Sequence, residues 1–151
     1  MPCFTDLEIN KGQYQLGEII EAVVTVDNTL SSRNVRRIKL KLKKTIKIRG
    51  RFEHSWMTVD SSEFVAGIKE EGCNIGEKVT RHMRLQVPKK QVLHDIPHGS
   101  TDVDVRLLLT QPTTIIGHNI QVTFSVEVFV HHEGFMEKGK GSHAEIPVTI
   151  V

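Results

Sequence analysis

The stretch NVRRIKLKLKKTIKIRGR, residues Asn34–Arg51, combines the pattern of a β-strand with an unbroken run of positive charge. From Arg36 to Arg51 it contains nine lysines or arginines and no acid. Apolar residues stand at every second position or close to it: Ile38, Leu40, Leu42, Ile46 and Ile48. Alternation with period two puts successive side chains on opposite faces of a strand. We therefore predict a strand with a buried apolar face and a cationic outer face.

The same alternation recurs along most of the chain. Residues 20–26 and 120–130 carry apolar side chains at every even-numbered position and are rich in β-branched residues, which favour strands. Turn signals such as Leu16-Gly17 and Asp60-Ser61-Ser62 separate the segments. Further strands are predicted at Phe4–Ile9, Glu63–Ile68, Val79–Val87, Val103–Leu109 and Ala144–Val151. Many short strands without a helical segment predict an all-β, immunoglobulin-like β-sandwich.

The bulk composition is that of one soluble globular domain. The chain has 151 residues, of which 38% are hydrophobic and 25% charged, with a formal net charge of +2. Cys3 and Cys73 fit no zinc or redox spacing; we expect two free thiols in a reducing compartment, with one disulfide as the alternative. The sequence shows no signal peptide and no run of ~20 apolar residues. These features predict a cytoplasmic protein.

No familiar catalytic or metal-binding motif is present. The eight histidines are scattered, and the adjacent His131 and His132 must point to opposite sides of a strand. The chain lacks a Gly-x-Ser-x-Gly elbow and a Gly-x-x-x-x-Gly-Lys phosphate loop. We expect a non-enzymatic protein with no metal and no cofactor. Asp95, Asp102 and Asp104 are expected to be ordinary loop residues.

Four segments, in order, resemble the C-terminal domain of arrestins and arrestin-like proteins. They are LEINKGQYQLGEIIEAVVTVDN from Leu7, TLSSRNVRRIKLKLKKT from Thr29, PTTIIGHNIQVTFSVEVFV from Pro112 and AEIPVTIV from Ala144. The resemblance implies an immunoglobulin-like sandwich over residues 1–151. It also implies a second, N-terminal sandwich, so we expect this chain to be one half of a two-domain protein; a complete small protein is the alternative.

The basic strand has two interpretations. In the first, its lysines and arginines form the solvated face of a sandwich strand. In the second, cations spaced roughly 6.5–7 Å apart along one face repel one another, and a multivalent phosphate relieves that repulsion. The candidate residues for binding an anion or a phosphoinositide are Arg36, Arg37, Lys39, Lys41 and Lys43.

The resemblance implies that inositol phosphates and phosphoinositide headgroups bind this strand at the positions of Lys39 and Lys43. The family's site also uses a lysine from the next strand, and the matching region, residues 53–57, has none. Arg49 or Arg51 would have to replace it. Nucleic acid is not an expected partner, because no aromatic residues are interleaved with the basic run.

The resemblance implies a non-enzymatic adaptor or scaffold in membrane-protein trafficking or signalling. Expected partners are membrane-protein cargo, receptor cytoplasmic tails, other trafficking proteins and anionic lipid headgroups, with recruitment from the cytoplasm to the plasma membrane or endosomes. One alternative is a structural subunit of an endosomal sorting coat, such as the arrestin-fold subunit of retromer. Another is an extracellular immunoglobulin-like module with a disulfide between Cys3 and Cys73.

Overall fold

The computed structural model describes residues 3–52, 55–89, 113–117, 120–134 and 142–151. Side chains are described throughout these ranges except at positions 48, 50–52 and 55–61. The predicted strand Val103–Leu109 and the loop aspartates of residues 95–104 lie outside the described part.

The described part of the chain consists of strands and connections, and it contains no helix. The strands in chain order are β1 (Phe4–Ile9), β2 (Gln13–Tyr14), β3 (Ile19–Asp27), β4 (Val35–Phe52), β5 (Ser55–Cys73), β6 (Lys78–Gln86), β7 (Ile115–Ile116), β8 (Ile120–His132) and β9 (His143–Ile150). The predicted all-β class is confirmed. The two-residue strands β2 and β7 are too short to show an alternation, and the sequence pattern did not predict them.

Two sheets face each other. The smaller sheet has the order β1-β3-β6 and is antiparallel throughout. The larger has the order β2-β9-β8-β4-β5, with β7 paired to β8; its one parallel contact joins β2 to β9. Strand β4 therefore lies between β5 and β8, and its outer face looks away from the smaller sheet.

The hydrophobic core fills the space between the sheets. The even-numbered residues of 20–26 and of 122–130 are buried, as the alternation predicted. Ile38, Leu40 and Leu42 of β4 pack in the same core. At roughly 25 cal/mol per Å² of apolar surface, burial of these strand faces is the main stabilising term of the fold.

The turns predicted at Asp60-Ser61-Ser62 and at Glu71-Gly72 are wrong, because both segments belong to β5. Asp60-Ser61-Ser62 lies inside β5, where it pairs with residues 45–47 of β4 in a long antiparallel hairpin. The backbone hydrogen bonds of that ladder outweigh the local turn preference of Asp and Ser, because strand preference depends strongly on the paired neighbour. The predicted strand Glu63–Ile68 is the central part of the same longer strand.

Asn28 joins two loops at one end of the sandwich. Its buried Nδ2 donates to the Arg33 carbonyl at 2.9 Å and to the Asn74 carbonyl at 3.2 Å. The Asn28 carbonyl accepts from Gly76 N at 3.1 Å. Gly76 has φ of 83°, a conformation that favours glycine. This asparagine therefore ties the β3–β4 connection to the β5–β6 turn.

Candidate functional site

The outer face of β4 carries most of the predicted cations. Between residues 37 and 46, odd-numbered side chains point outward and are partly exposed, whereas even-numbered ones are buried. Lys39 and Lys43 therefore share one face, together with Arg37 and Lys41. Arg36 is exposed and lies at an irregularity in the pairing of β4 with β8.

Acids from β8 and β9 neutralise one half of this face. Lys41 Nζ lies 3.0 Å from Glu127 Oε1, and Lys43 Nζ lies 2.9 Å from Glu145 Oε1 and 3.7 Å from Glu127 Oε2. Ser125 Oγ donates to Glu145 Oε1 at 2.6 Å. The hydrogen bond to Glu145 raises the pKa of Lys43, and the bonds from Ser125 and Lys43 lower the pKa of Glu145. Lys43 is thus held between two carboxylates.

In the part of the chain that the structure describes, the other half of the face has no carboxylate opposite Lys39, although Glu71 of β5 lies opposite Arg37. Lys39 is directly opposite Lys69 of β5 on one side and Phe129 of β8 on the other. Burial lowers the pKa of Lys39, and the neighbouring Lys69, Arg37 and Lys41 charges lower it further. Within the ranges that the structure describes, Arg37, Lys39 and Lys69 form no ion pair. Like charges directly opposite each other destabilise a sheet.

A cleft of about 370 Å³ opens beside Lys39, and we call it the basic cleft. Its side-chain lining is cationic and aromatic: Lys39, Lys41, Lys69, Phe64, Phe129 and His131. Gly67, opposite Lys41, has no side chain to fill the base of the cleft, and the Phe64 ring leans over Gly67. A Cβ at Gly67 would lie 2.8 Å from Phe64 Cε2, so this ring position requires glycine there.

A β-bulge explains why Phe64 reaches this face. The β4–β5 register shifts between Leu42 and Lys43, which leaves Val65 as an extra residue on β5. Phe64 consequently pairs with Lys43 on the outer face and is 67% exposed. A bulge of this kind redirects side chains locally.

His131 lies beside Phe129 at the same cleft. Its ring centroid lies 4.7 Å from that of Phe129. Burial lowers the pKa of His131, and the charges of Lys39, Arg37, Lys41 and Lys69 lower it further, in that order. A proton on His131 is therefore disfavoured, first by burial and then by the nearby positive charges.

The structure separates the five predicted site residues. Lys39 lies opposite another lysine, and Arg37 lies opposite Glu71 without an ion pair within the described residues. Lys41 lines the cleft while bridging Glu127, and Lys43 lies among the acids. Arg36 stands at the end of the strand. Sequence reasoning missed Lys69, His131, Phe64 and Phe129, because only the pairing register of β5 and β8 brings them to Lys39. Arg49 is ten residues from Lys39 along β4, roughly 30 Å, and does not join the cluster.

Lys44, another member of the basic run, points inward. It is fully buried at the position between Leu42 and Ile46. Burial lowers its pKa from 10.5 to about 8, while the nearby Glu63 charge acts in the opposite direction. Lys44 therefore contributes to the interior and not to the cationic surface.

Other candidate chemistries find little support in the described residues. No group of three or more His, Cys, Asp or Glu is placed to hold a metal within those ranges. The same ranges include no helix capable of crossing a membrane. Cys3 and Cys73 are free thiols, and burial raises the pKa of Cys3 to about 11. The disulfide of the extracellular alternative is not formed in this structure.

Fold and site together define the class of the protein: a two-sheet, all-β sandwich with a basic cleft on the outer face of its larger sheet. Residues 4–151 match the family model described as "Arrestin (or S-antigen), C-terminal domain". The chain belongs to the arrestin family and corresponds to its C-terminal domain. The match confirms the family that the sequence motifs indicated.

One solved structure with the same fold is that of Spo0M, a sporulation control protein from Bacillus subtilis. The superposition has a TM-score of 0.54 and 14% sequence identity, and it covers 98% of this chain and 49% of the other. This chain thus spans about half the length of that protein. At this identity the likeness concerns the fold alone. No curated protein matches the chain significantly.

Proposed function

We propose that this domain is a non-enzymatic adaptor or scaffold module, and that the part of the β4 outer face around Lys39 and Lys69 docks anionic groups of its partners. The observation that carries the proposal is the placement of Lys39 directly opposite Lys69, with His131 in the same cleft and no acid among the described residues that line that cleft. Glu71 lies at the edge of this group, opposite Arg37. The family match supports a binding role.

The distribution of acids on the same face strengthens this proposal. Glu127 and Glu145 lie within reach of Lys41 and Lys43, so the larger sheet does use carboxylates to offset its lysines. Two residues along β4 from Lys41, the cross-strand neighbours of Lys39 are Lys69 and Phe129 instead of carboxylates. A phosphate placed there would replace repulsion by charge-assisted hydrogen bonds.

We further propose that the anion belongs to a membrane-associated partner. Phosphoinositide headgroups and phosphorylated cytoplasmic tails both carry the required charge, and a weak lipid contact and a weak protein contact add through effective concentration. The protein would act in the cytoplasm and be recruited to the plasma membrane or endosomes. We also propose that residues 1–151 form one half of a two-domain protein, as the family description "C-terminal domain" suggests.

Vesicle co-sedimentation tests anion docking. The 151-residue chain is mixed with phosphatidylcholine vesicles, with or without a few per cent of phosphatidylinositol bisphosphate. Lys39→Gln and Lys69→Gln should each weaken binding roughly fivefold, since one lysine near an anionic surface contributes about 1 kcal/mol. Lys78→Gln, on the smaller sheet, is the matched control and should bind as the parent does.

The outcome also separates the alternatives. If both cleft variants bind phosphoinositide vesicles and soluble inositol phosphates as the parent does, anion docking at Lys39 is wrong. A stoichiometric protein partner whose binding is insensitive to salt would instead support the structural subunit of a sorting coat.

A further inference from the structure

We infer that the basic cleft selects a phosphate carried on an aromatic ring, namely the phosphotyrosine side chain of a partner protein. This selectivity rests on the proposed anion docking and goes beyond it, because it names the group that carries the charge. Two features in one small cleft lead to it: a cationic end and aromatic walls.

The cationic end suits a phosphate monoester. Lys39 and Lys69 are directly paired on neighbouring strands, so their stems start roughly 5 Å apart and both ammonium groups can contact one phosphate. His131 lines the same cleft and offers a further donor when protonated. A phosphate has three terminal oxygens for these donors, whereas a carboxylate has two.

The walls suit an aromatic ring. Phe64 stands on β5 opposite Lys43, and Phe129 stands on β8 opposite Lys39, so their backbones lie roughly 16 Å apart: two strand spacings across the sheet and four residues along it. The Phe64 ring leans over Gly67, towards the Lys39 end, and both rings line the cleft. The space between the rings leaves room for one flat ring to pack against either wall at ordinary contact distances. Gly67 adds no side chain to the space, and a volume of about 370 Å³ is enough for a phenyl phosphate.

The same walls disfavour other phosphates in this cleft. The hydroxyl groups of an inositol ring would lose hydrogen bonds to water against Phe64 and Phe129, which offer none in return. Phosphoserine has too short a stem to cover the rings, so the apolar walls would remain in water. An aryl phosphate satisfies both ends of the cleft at once.

Small-molecule titrations followed by NMR test this selectivity on the 151-residue chain. Phenyl phosphate should bind about tenfold more tightly than methyl phosphate, because only the first can pack against the rings. Phe64→Ala should remove most of that difference and leave methyl phosphate unaffected. Phe64 is 67% exposed, so its loss should not disturb folding. Phe4→Ala, at a 56% exposed position on the smaller sheet, is the matched control.

A peptide comparison extends the test to the inferred partner. A phosphotyrosine peptide should bind about tenfold more tightly than the same peptide with phosphoserine, and Lys39→Gln should weaken both. Equal affinities of phenyl and methyl phosphate, with both weakened by Lys39→Gln, would overturn the aromatic selectivity and leave anion docking intact. Binding to phosphoinositide vesicles but not to phosphotyrosine peptide would also overturn it. If neither phosphate, neither peptide nor vesicles bind, anion docking itself fails.

Discussion

Reversing the charge of Lys69 should stabilise the free domain while it removes anion binding. In Lys69→Glu, the repulsion between two directly opposed lysines becomes an attraction between Lys39 and a carboxylate. The position is exposed, so the new side chain costs little desolvation. A residue that lowers stability in the free protein but improves ligand binding is what a functional cation at this site predicts.

The size of the effect follows from the strand pairing. Directly opposed charges contribute roughly 0.2–1 kcal/mol in a sheet, with the sign set by the charges. Replacing a repulsive pair by an attractive one should therefore add about 1 kcal/mol. Glu71 lies two residues along β5 on the same face and would repel the new carboxylate, which reduces the gain. We expect an increase of about 0.5–1 kcal/mol, or roughly 1–4 °C in Tm.

Urea unfolding at about 20 mM and 500 mM salt measures this change. The gain should shrink at high salt, because exposed charges are screened. Lys69→Gln should give about half of it, and in a Lys39→Gln background Lys69→Glu should give almost none, so a double-mutant cycle isolates the pair. The reasoning is refuted if Lys69→Glu destabilises the domain at low salt, or if the cycle shows no coupling.

Three other predictions concern single residues. Lys44→Met should raise the free energy of unfolding at pH 7 by up to about 3 kcal/mol, because a pKa lowered from 10.5 to about 8 disfavours the charged side chain in the fold. Wild-type stability should rise between pH 8 and 10.5, because there the unfolded chain binds more protons than the folded one at Lys44. The Lys44→Met variant should lack this rise. Equal pH profiles of the two proteins in urea unfolding would contradict the prediction. The pKa of His131, lowered by burial and four cations, should increase when phosphate binds, so that binding strengthens at acidic pH. An NMR titration of His131 with and without phosphate checks this. An unchanged pKa would count against docking beside the ring. Asn28→Ala should cost about 1–3 kcal/mol in urea unfolding, because it removes the Asn28 donor of the Asn74 carbonyl and one of two donors of the Arg33 carbonyl, the other being Ser31 Oγ. A loss below about 0.5 kcal/mol would mean that water replaces the amide.

The fold was predictable where it depends on local alternation. The buried faces of β3 and β8 follow from their even-numbered apolar residues, because each strand carries its own period. The cationic outer face of β4 followed in the same way. The hairpin formed by β4 and β5 was not predictable to its full length, because its middle contains Asp60-Ser61-Ser62, which alone favours a turn.

The sequence predicted only those site residues that belong to β4. Arg37 and Lys39 belong to the basic run, but Lys69 and Phe129 come from strands 30 and 90 positions further along the chain and meet Lys39 through the pairing register. The same register separates Lys43 from this group by bringing it to Glu145. The charge pattern of β4 therefore predicted a basic surface. It did not predict which of its cations form ion pairs with carboxylates.

The bulge at Val65 connects the surface site with the interior. If Val65 paired regularly with Lys43, Phe64 would lie opposite Lys44, on the buried face, and Glu63 opposite Thr45, on the outer face. The one-residue shift exchanges these sides, since side chains alternate with period two. Phe64 then leans over Gly67 as a wall of the basic cleft, and Glu63 faces Lys44, whose charge it favours. A single irregularity thus supplies both the aromatic wall of the cleft and an acid for the buried lysine, so a register in which Val65 pairs with Lys43 would lose the two features together.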